Sequence, residues 1–389
     1  MNNNILFFII TLSYIIYIPL YTTPCNIRSI YDLMTENNNI TFYKCHDPIY
    51  FEYPNFPLTE YSFFHPQKGF FDQTGVFIIP QGKACTEYGM IHDQHNNLIK
   101  EFLPTNYSII RHLVFAQNID FSQNRLQPIT GKVAVLTRIS SEIYGHWIGE
   151  VLGRLHLIKM HNIAYDWLYV PHNIPFMKET LRLLGVDTTK IIEPWGKHYY
   201  IQADELIVPT LTARFIPIPY QQNIAEAHYK VMYCPNWNKK WLQQTFLPLI
   251  KDKDTNFCKK VFISRKDAKI RNIDNEDDIF NYFATKGFKR YCLSNMTFLE
   301  QIELFHQATH IVSPHGSALT NIIFCNKDTC VIELFQNQFD PTFWQLSYDL
   351  ALEHHCIKTQ ERSTSDVASS TVISLDIINN YVQQHIPSL

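Results

Sequence analysis

From Lys132 onward, short apolar runs alternate with segments of helical spacing, a pattern that predicts strands connected by helices. "KVAVLT" predicts a buried strand, "YGHWIGEVLGRLHLIKMH" a helix and "DWLYVP" a second strand. "PFMKETLRLLG" predicts a helix ending at Gly185, and "ELIVP" another strand. The polar segment "CPNWNKKWLQQTFLPLIKDKDTNFC" interrupts the pattern and predicts one helix and an interdomain connection. The alternation then resumes with "KKVFISR" (strand), "NEDDIFNYFATKG" (helix) and "FKRYCL" (strand). "TFLEQIELFHQA" predicts a helix opened by a capping box, Thr297 with Glu300 three residues on. "HIVS", "GSALTNIIF" and "CVIELF" predict a strand, a short helix and a strand; "PTFWQLSYDLALEHH" and "VISLDIINNYVQQH" predict helices. Strands alternating with helices imply parallel sheets with crossover connections. Two α/β halves are expected, residues 25–235 and 236–389, with a cleft between them as the usual place for a ligand. Residues 26 to about 125 are rich in Asn, Tyr, Phe and Pro, and runs such as "GVFIIP" predict short strands in irregular structure.

The first apolar run is of another kind. Ile5 to Tyr21 contains no charged side chain, which predicts a secretory signal or a signal anchor over residues 1–24. No Lys or Arg precedes Arg28, so loop charge does not orient it. The expected location is the secretory pathway or a membrane: ER or Golgi lumen in a eukaryote, the envelope in a bacterium, with anchoring through residues 5–21 if the run is retained. A length of 389 residues accommodates two full cores, and 46% hydrophobic content excludes a disordered chain. A net charge of −3 and a pI near 6.6 give no global reason to bind nucleic acid or an anionic surface, so any anion site must be local. The nine cysteines show no zinc-finger spacing; an exported chain could pair some of them, Cys325 and Cys330 being nearest in sequence. Asn39, Asn106 and Asn295 are glycosylation sequons only in a glycosylating compartment.

Candidate chemistry is densest in the second half. In "VFISRKDAKIRNIDNE", Arg265 and Arg271 flank a loop just after a strand, and arginine offers planar, permanently charged donors suited to phosphate. In "IVSPHGSALTNIIF", Pro314 stops a strand, Gly316 removes a Cβ, and small Ser317 and Ala318 begin a helix whose first N–H groups can hold phosphate. His315 stands in the same turn and could bond phosphate or shape the loop. Glu333 lies in the apolar strand "VIELF", where a carboxylate needs a partner; a pair of ribose hydroxyls is an apt one. A doubly wound sheet brings these strand ends to one edge, and together they describe a nucleoside diphosphate site.

The blocks "ISRKDAKIRNIDNE", "TFLEQIELFHQATHIVSPHGSALTNIIF" and "CVIELF", with the upstream "YGHWIGEVLGRL", resemble the ordered signature of glycosyltransferase family 61 over roughly residues 130–335. The resemblance implies a GT-B fold, two Rossmann-like domains facing a cleft, and a nucleotide-sugar donor with inversion at the anomeric carbon. It implies that Arg265 and Arg271 hold the diphosphate, that the amides of Gly316, Ser317 and Ala318 cradle it, and that Glu333 takes the ribose. The sugar, hexosyl or pentosyl, is not identified by it; a UDP-sugar donor and a glycan or glycoprotein acceptor are expected.

In the upstream block His146 comes directly after Gly145 at a predicted helix start, with Glu150 one turn on. Inverting transfer needs a base for the acceptor proton. His146 is the first choice, with Glu150 as its orienting partner or the base itself. Arg154, a further turn along, is expected to pair with Glu150. Arginines and a helix N-terminus can neutralise a leaving diphosphate, so no metal cofactor is expected. "KDKD" (251–254) contains Asp-x-Asp in a polar segment and reads as solvated charge; His92, Asp93 and His95, and Glu353, His354 and His355, read as solvated polar faces. Two alternatives remain: an inactive nucleotide- or glycan-binding relative, and a metal-dependent hydrolase built on those His clusters.

Overall fold

The computed structural model describes residues 26–36, 39–58, 68–103, 121, 126–195, 199–213, 215–217, 234–250, 257–336, 340–358 and 370–389. The apolar run Ile5–Tyr21, the sequon at Asn106 and the "KDKD" segment lie outside these residues. Among the described residues no helix is long and apolar enough to cross a membrane. The architecture is mixed α/β, with parallel and antiparallel strand pairing.

The second half forms an all-parallel sheet in the spatial order Lys289–Tyr291, Lys260–Ile263, His310–Pro314, Cys330–Phe335, Glu353–Lys358. Every residue of Cys330–Phe335 is buried, as a strand covered on both faces requires. The helices Glu276–Ala284 and Leu375–His385 pack with Phe262 and Ile332 on one face. On the other lie the helices Phe298–Gln307 and Thr342–Asp349 and the 3₁₀ helix Ser317–Phe324. Because the chain runs out from Lys260–Ile263 to one edge and returns past it to His310–Pro314, the strand order reverses between those two strands. The crevice beyond their carboxyl ends is the switch point at which open α/β sheets bind ligands.

The first half repeats this logic inside a larger mixed sheet. Tyr200–Pro209, Leu126–Val135, Trp167–Tyr169 and Ile191–Ile192 are parallel neighbours in that order, and the N-terminal strands Thr74–Pro80 and Lys83–Cys85 add antiparallel to Tyr200–Pro209. Its switch point lies between Leu126–Val135 and Tyr200–Pro209. Arg154, fully buried, donates there to the carbonyls of Leu136, Thr137 and Pro209.

Two expectations need correction. The polar segment after residue 233 does not simply bridge two bodies: its helix Asn236–Phe246 buries Leu242 and Phe246 in one apolar cluster with Trp147 and Leu155 from the first half and Phe298 and Phe324 from the second. And "LALEHH" does not continue a helix. Ala351 adopts a left-handed φ of 55°, which ends the helix Thr342–Asp349, and Glu353–Lys358 joins the sheet as its last strand. Cys325 and Cys330, the cysteines nearest in sequence, are both free thiols.

Candidate active site

The switch point of the parallel sheet is built by the residues just past the strand ends. After Lys260–Ile263 come Ser264 and Arg265; after His310–Pro314 come His315 and Gly316. Glu276, at the start of its helix, fixes the first loop: one oxygen accepts from Ser264 Oγ at 2.6 Å and the other from the Arg265 amide at 2.8 Å. The Arg265 guanidinium is thereby swung against Gly316, where a Cβ would come within 2.1 Å of its Nη1. The missing Cβ of Gly316 therefore leaves room for the arginine, a close approach that the sequence did not show; its φ of 160° is ordinary extended backbone.

Arg265 Nη2 donates to Ile270 O at 3.2 Å, while its Nε is buried without a hydrogen-bond partner. Burial, and next the charge of Arg271, push the Arg265 guanidinium down to about 10. Burial lowers that of Arg271 as well, opposed by Asp340. Arg271 sits at a left-handed φ of 57°, a conformation uncommon outside glycine. Two cations held close together, one with an orphaned buried donor, form a site short of negative charge. The helix predicted at Ser317 exists as a 3₁₀ helix, Ser317–Phe324, with Gly316 as its N-cap. Its first amides have no partner within the helix and point from the same turn.

Glu333 is fully buried, and both its oxygens are occupied. His315 Nδ1 lies 2.6 Å from Oε1 and His354 Nε2 lies 3.1 Å from Oε2, with Ser347 Oγ 2.7 Å from His354 Nδ1. Burial pushes the Glu333 carboxyl up, but the two histidines outweigh it and hold the group below the usual carboxylate range. The ribose contact implied for Glu333 is thus at odds with the geometry: it has no exposed oxygen to offer. It holds His315 instead. His354 is consequently no solvated residue, and alternation along its strand sends Glu353 and His355 to the opposite face, so these three do not converge on one site.

In the first half, Tyr144–His146 is α-helical, Trp147–Val151 forms a π-helical turn and Leu152–Met160 continues as α-helix. The π turn carries Glu150, whose Oε2 is in close contact with both Arg138 Nη1 and His146 Nδ1. Burial pushes the Glu150 carboxyl up, and the Arg138 charge, then His146, more than reverse this. His146 Nδ1 also lies 3.1 Å from Arg138 Nη1; in the tautomer in which Nδ1–H donates to the ionised Glu150, Nε2 keeps its lone pair. The His146 side chain is 29% exposed, against 12% for Glu150, so only the imidazole is open to a substrate. The expected Glu150–Arg154 pair is replaced by Glu150–Arg138, because Arg154 spends its donors on strand-end carbonyls.

The two rims meet. Tyr144–His146 packs against Ser317–Phe324, and Tyr144 Oη donates to Asn321 Oδ1 at 2.5 Å, while Asn321 Nδ2 donates to Gln301 Oε1 at 3.1 Å. Glu179 reaches across to accept from the amides of Phe298 and Leu299, capping a helix of the other half. Asp93, buried rather than solvated, gathers the amides of His95 and Asn97 and shapes a turn; a cavity of about 420 Å³ beside it is lined by Asp93, His95, Glu36 and Asn39 and includes none of the residues at the two switch points.

Sequence reasoning missed Arg138, Glu276, Asn321, Ser347 and the role of His354. Arg138 comes just after a strand end as Arg265 does, and the same rule would have found it. Glu276 and Asn321 stand inside the quoted motifs. Ser347 and His354 carried no local signal, since only the sheet brings them to Glu333.

Residues 144–332 match the family model described as Glycosyltransferase 61. No curated protein matches the chain.

Proposed function

We propose that this chain, whose residues 144–332 match the Glycosyltransferase 61 family model, is an inverting transferase that takes a sugar from a nucleotide-sugar donor, with UDP-sugars the first class to test, to a hydroxyl of a glycan or glycoprotein. The observation that carries the reading is the partnerless Nε of Arg265 at the switch point, beside Arg271 and the 3₁₀ helix start. That is where a diphosphate would complete the charge balance. Two switch points whose rims meet at Tyr144 and Asn321 support a GT-B-like division of labour: donor on the second sheet, acceptor on the first.

In the proposed reaction the acceptor oxygen attacks the anomeric carbon as the bond to the diphosphate oxygen breaks. His146 Nε2 receives the acceptor proton, and Glu150 holds the ring in the required tautomer and stabilises the imidazolium. The electron pair leaves with the diphosphate, whose charge Arg265, Arg271 and the amides of Gly316, Ser317 and Ala318 receive. His315, held through Nδ1 by Glu333, keeps Nε2 as the nitrogen that can face the donor. No divalent metal is invoked. The test is incubation with UDP-, GDP- and CDP-sugars labelled in the sugar, with sugar release or transfer as the readout and NMR of the product for anomeric configuration. Turnover of one donor with inversion is expected; tight nucleotide binding without turnover of any donor would make the chain a binding protein, and retention would exclude the single-displacement mechanism.

A further inference from the structure

The opposite rim of the parallel sheet, where its strands begin, carries a second cluster. Strand register sets His310 beside Cys330 and Cys330 beside Glu353. His355, two residues past Glu353, shares its face. Cys330 Sγ, a Glu353 oxygen and a His355 ring nitrogen all lie within 4.8 Å of one another. His355 Nε2 is 2.9 Å from Glu353 Oε1, and its Nδ1 is 3.4 Å from Tyr381 Oη on the helix Leu375–His385.

We propose that Cys330, Glu353 and His355 bind a zinc ion, with water in the fourth position. Donor atoms around tetrahedral zinc stand about 3.3–3.6 Å apart, so small side-chain rotations close the cluster around an ion. One thiolate, one imidazole and one carboxylate suit a borderline ion such as Zn²⁺ and disfavour Mg²⁺ or Ca²⁺. Tyr381 beside Nδ1 orients the ring so that Nε2 faces the metal, the outer-sphere arrangement common to histidine ligands. The cluster also has an entry path: Cys330 is buried in the sheet while the Glu353 side chain is 63% exposed. Binding replaces the S–H proton of Cys330, released to solvent, by the S–Zn bond.

The role is structural. Cys330 and Glu353 start their strands and His355 lies two residues on, whereas Arg265 and His315 lie past the ends of theirs, so the ion would not touch the donor. It would fasten Glu353–Lys358 to Cys330–Phe335 and so steady the strand that presents His354 to Glu333. The inference does not depend on the transferase reading.

The test uses full-length protein stripped with chelator and titrated with Co²⁺ as a spectroscopic substitute for zinc. The expected result is one Co²⁺ per chain with a thiolate-to-cobalt charge-transfer band in the near ultraviolet, lost in Cys330→Ser and retained in Cys356→Ser, whose sulfur lies on the other face. Zinc should raise the melting temperature of the wild type and have little effect on Glu353→Gln, an exposed change that leaves folding intact. The absence of a charge-transfer band in the wild type, its survival in Cys330→Ser, or an unchanged zinc affinity in Glu353→Gln overturns the proposal. Should Cys330→Ser fail to fold, the Glu353→Gln titration decides alone: a weakening of about tenfold or more is the supporting outcome.

Discussion

Replacing Glu150 by Gln keeps the shape of the side chain and removes its charge, and two separable losses should result. The first is stability. Arg138 and Glu150 have side-chain exposures of 11% and 12%, so the change strands a shielded guanidinium. Breaking such a pair from one side costs about 3–5 kcal/mol, and this residual exposure points to the lower end. The second is turnover. Without the carboxylate, His146 loses the group that fixes its tautomer and offsets its positive charge in the transition state. The expected drop is about 10²–10⁴-fold, or about 2.7–5.4 kcal/mol of barrier. Urea unfolding reads the first loss and single-turnover transfer the second. The pH dependence has a definite sign. Because the folded carboxyl is held below its ordinary value, its stabilisation is fully present above about pH 4.3 and is lost as pH falls through the lowered folded value. The stability gap between wild type and Glu150→Gln should therefore close in acid and stay constant near neutrality. His146→Ala separates the two effects, since it should lower turnover to a similar extent while leaving the Arg138–Glu150 pair and most of the stability in place. Near-normal turnover in His146→Gln, which keeps a hydrogen bond but cannot take the proton, would refute the base assignment and leave Glu150 as the candidate.

Gly316→Ala should displace the Arg265 guanidinium, because the new Cβ would meet Nη1 at 2.1 Å; nucleotide binding measured by calorimetry should weaken by about 1.5–3 kcal/mol with the fold retained, and unchanged affinity would count against the shared role of the two residues. Tyr144→Phe leaves Asn321 Oδ1 without the 2.5 Å bond that joins the two rims, and urea unfolding should register a loss of about 1–3 kcal/mol; a neutral result would mean the contact is dispensable. Transfer should proceed in excess chelator at temperatures where the fold is stable, and activity lost to chelation and restored by magnesium or manganese would contradict arginine-based charge neutralisation.

The features legible in the sequence are those that local pattern encodes. The strand–helix alternation, the capping box at Thr297 with Glu300, and the arginine and glycine flanking a sheet edge all come from periodicity and from where ligands bind on parallel sheets. Glu333 stands out in its apolar strand as a carboxylate in need of a partner, but its partners are His315 and His354, the second from a strand that helical-looking sequence concealed. The same hidden strand explains why Glu353, His354 and His355 read as one polar cluster: only the period-two alternation of a strand divides them between two faces. Arg154 departs from expectation because an acidic residue stands one turn before it in sequence, whereas buried strand-end carbonyls offer it more hydrogen bonds.

The central claim, that a nucleoside diphosphate binds at the switch point of the parallel sheet, is tested most directly by calorimetric titration of UDP, GDP and CDP into wild type, Arg265→Ala and Arg271→Ala. The account predicts that one of these binds the wild type and that losing either arginine weakens it by about 10–150-fold, the equivalent of one charge-assisted phosphate contact. Wild-type affinity in both variants would contradict it.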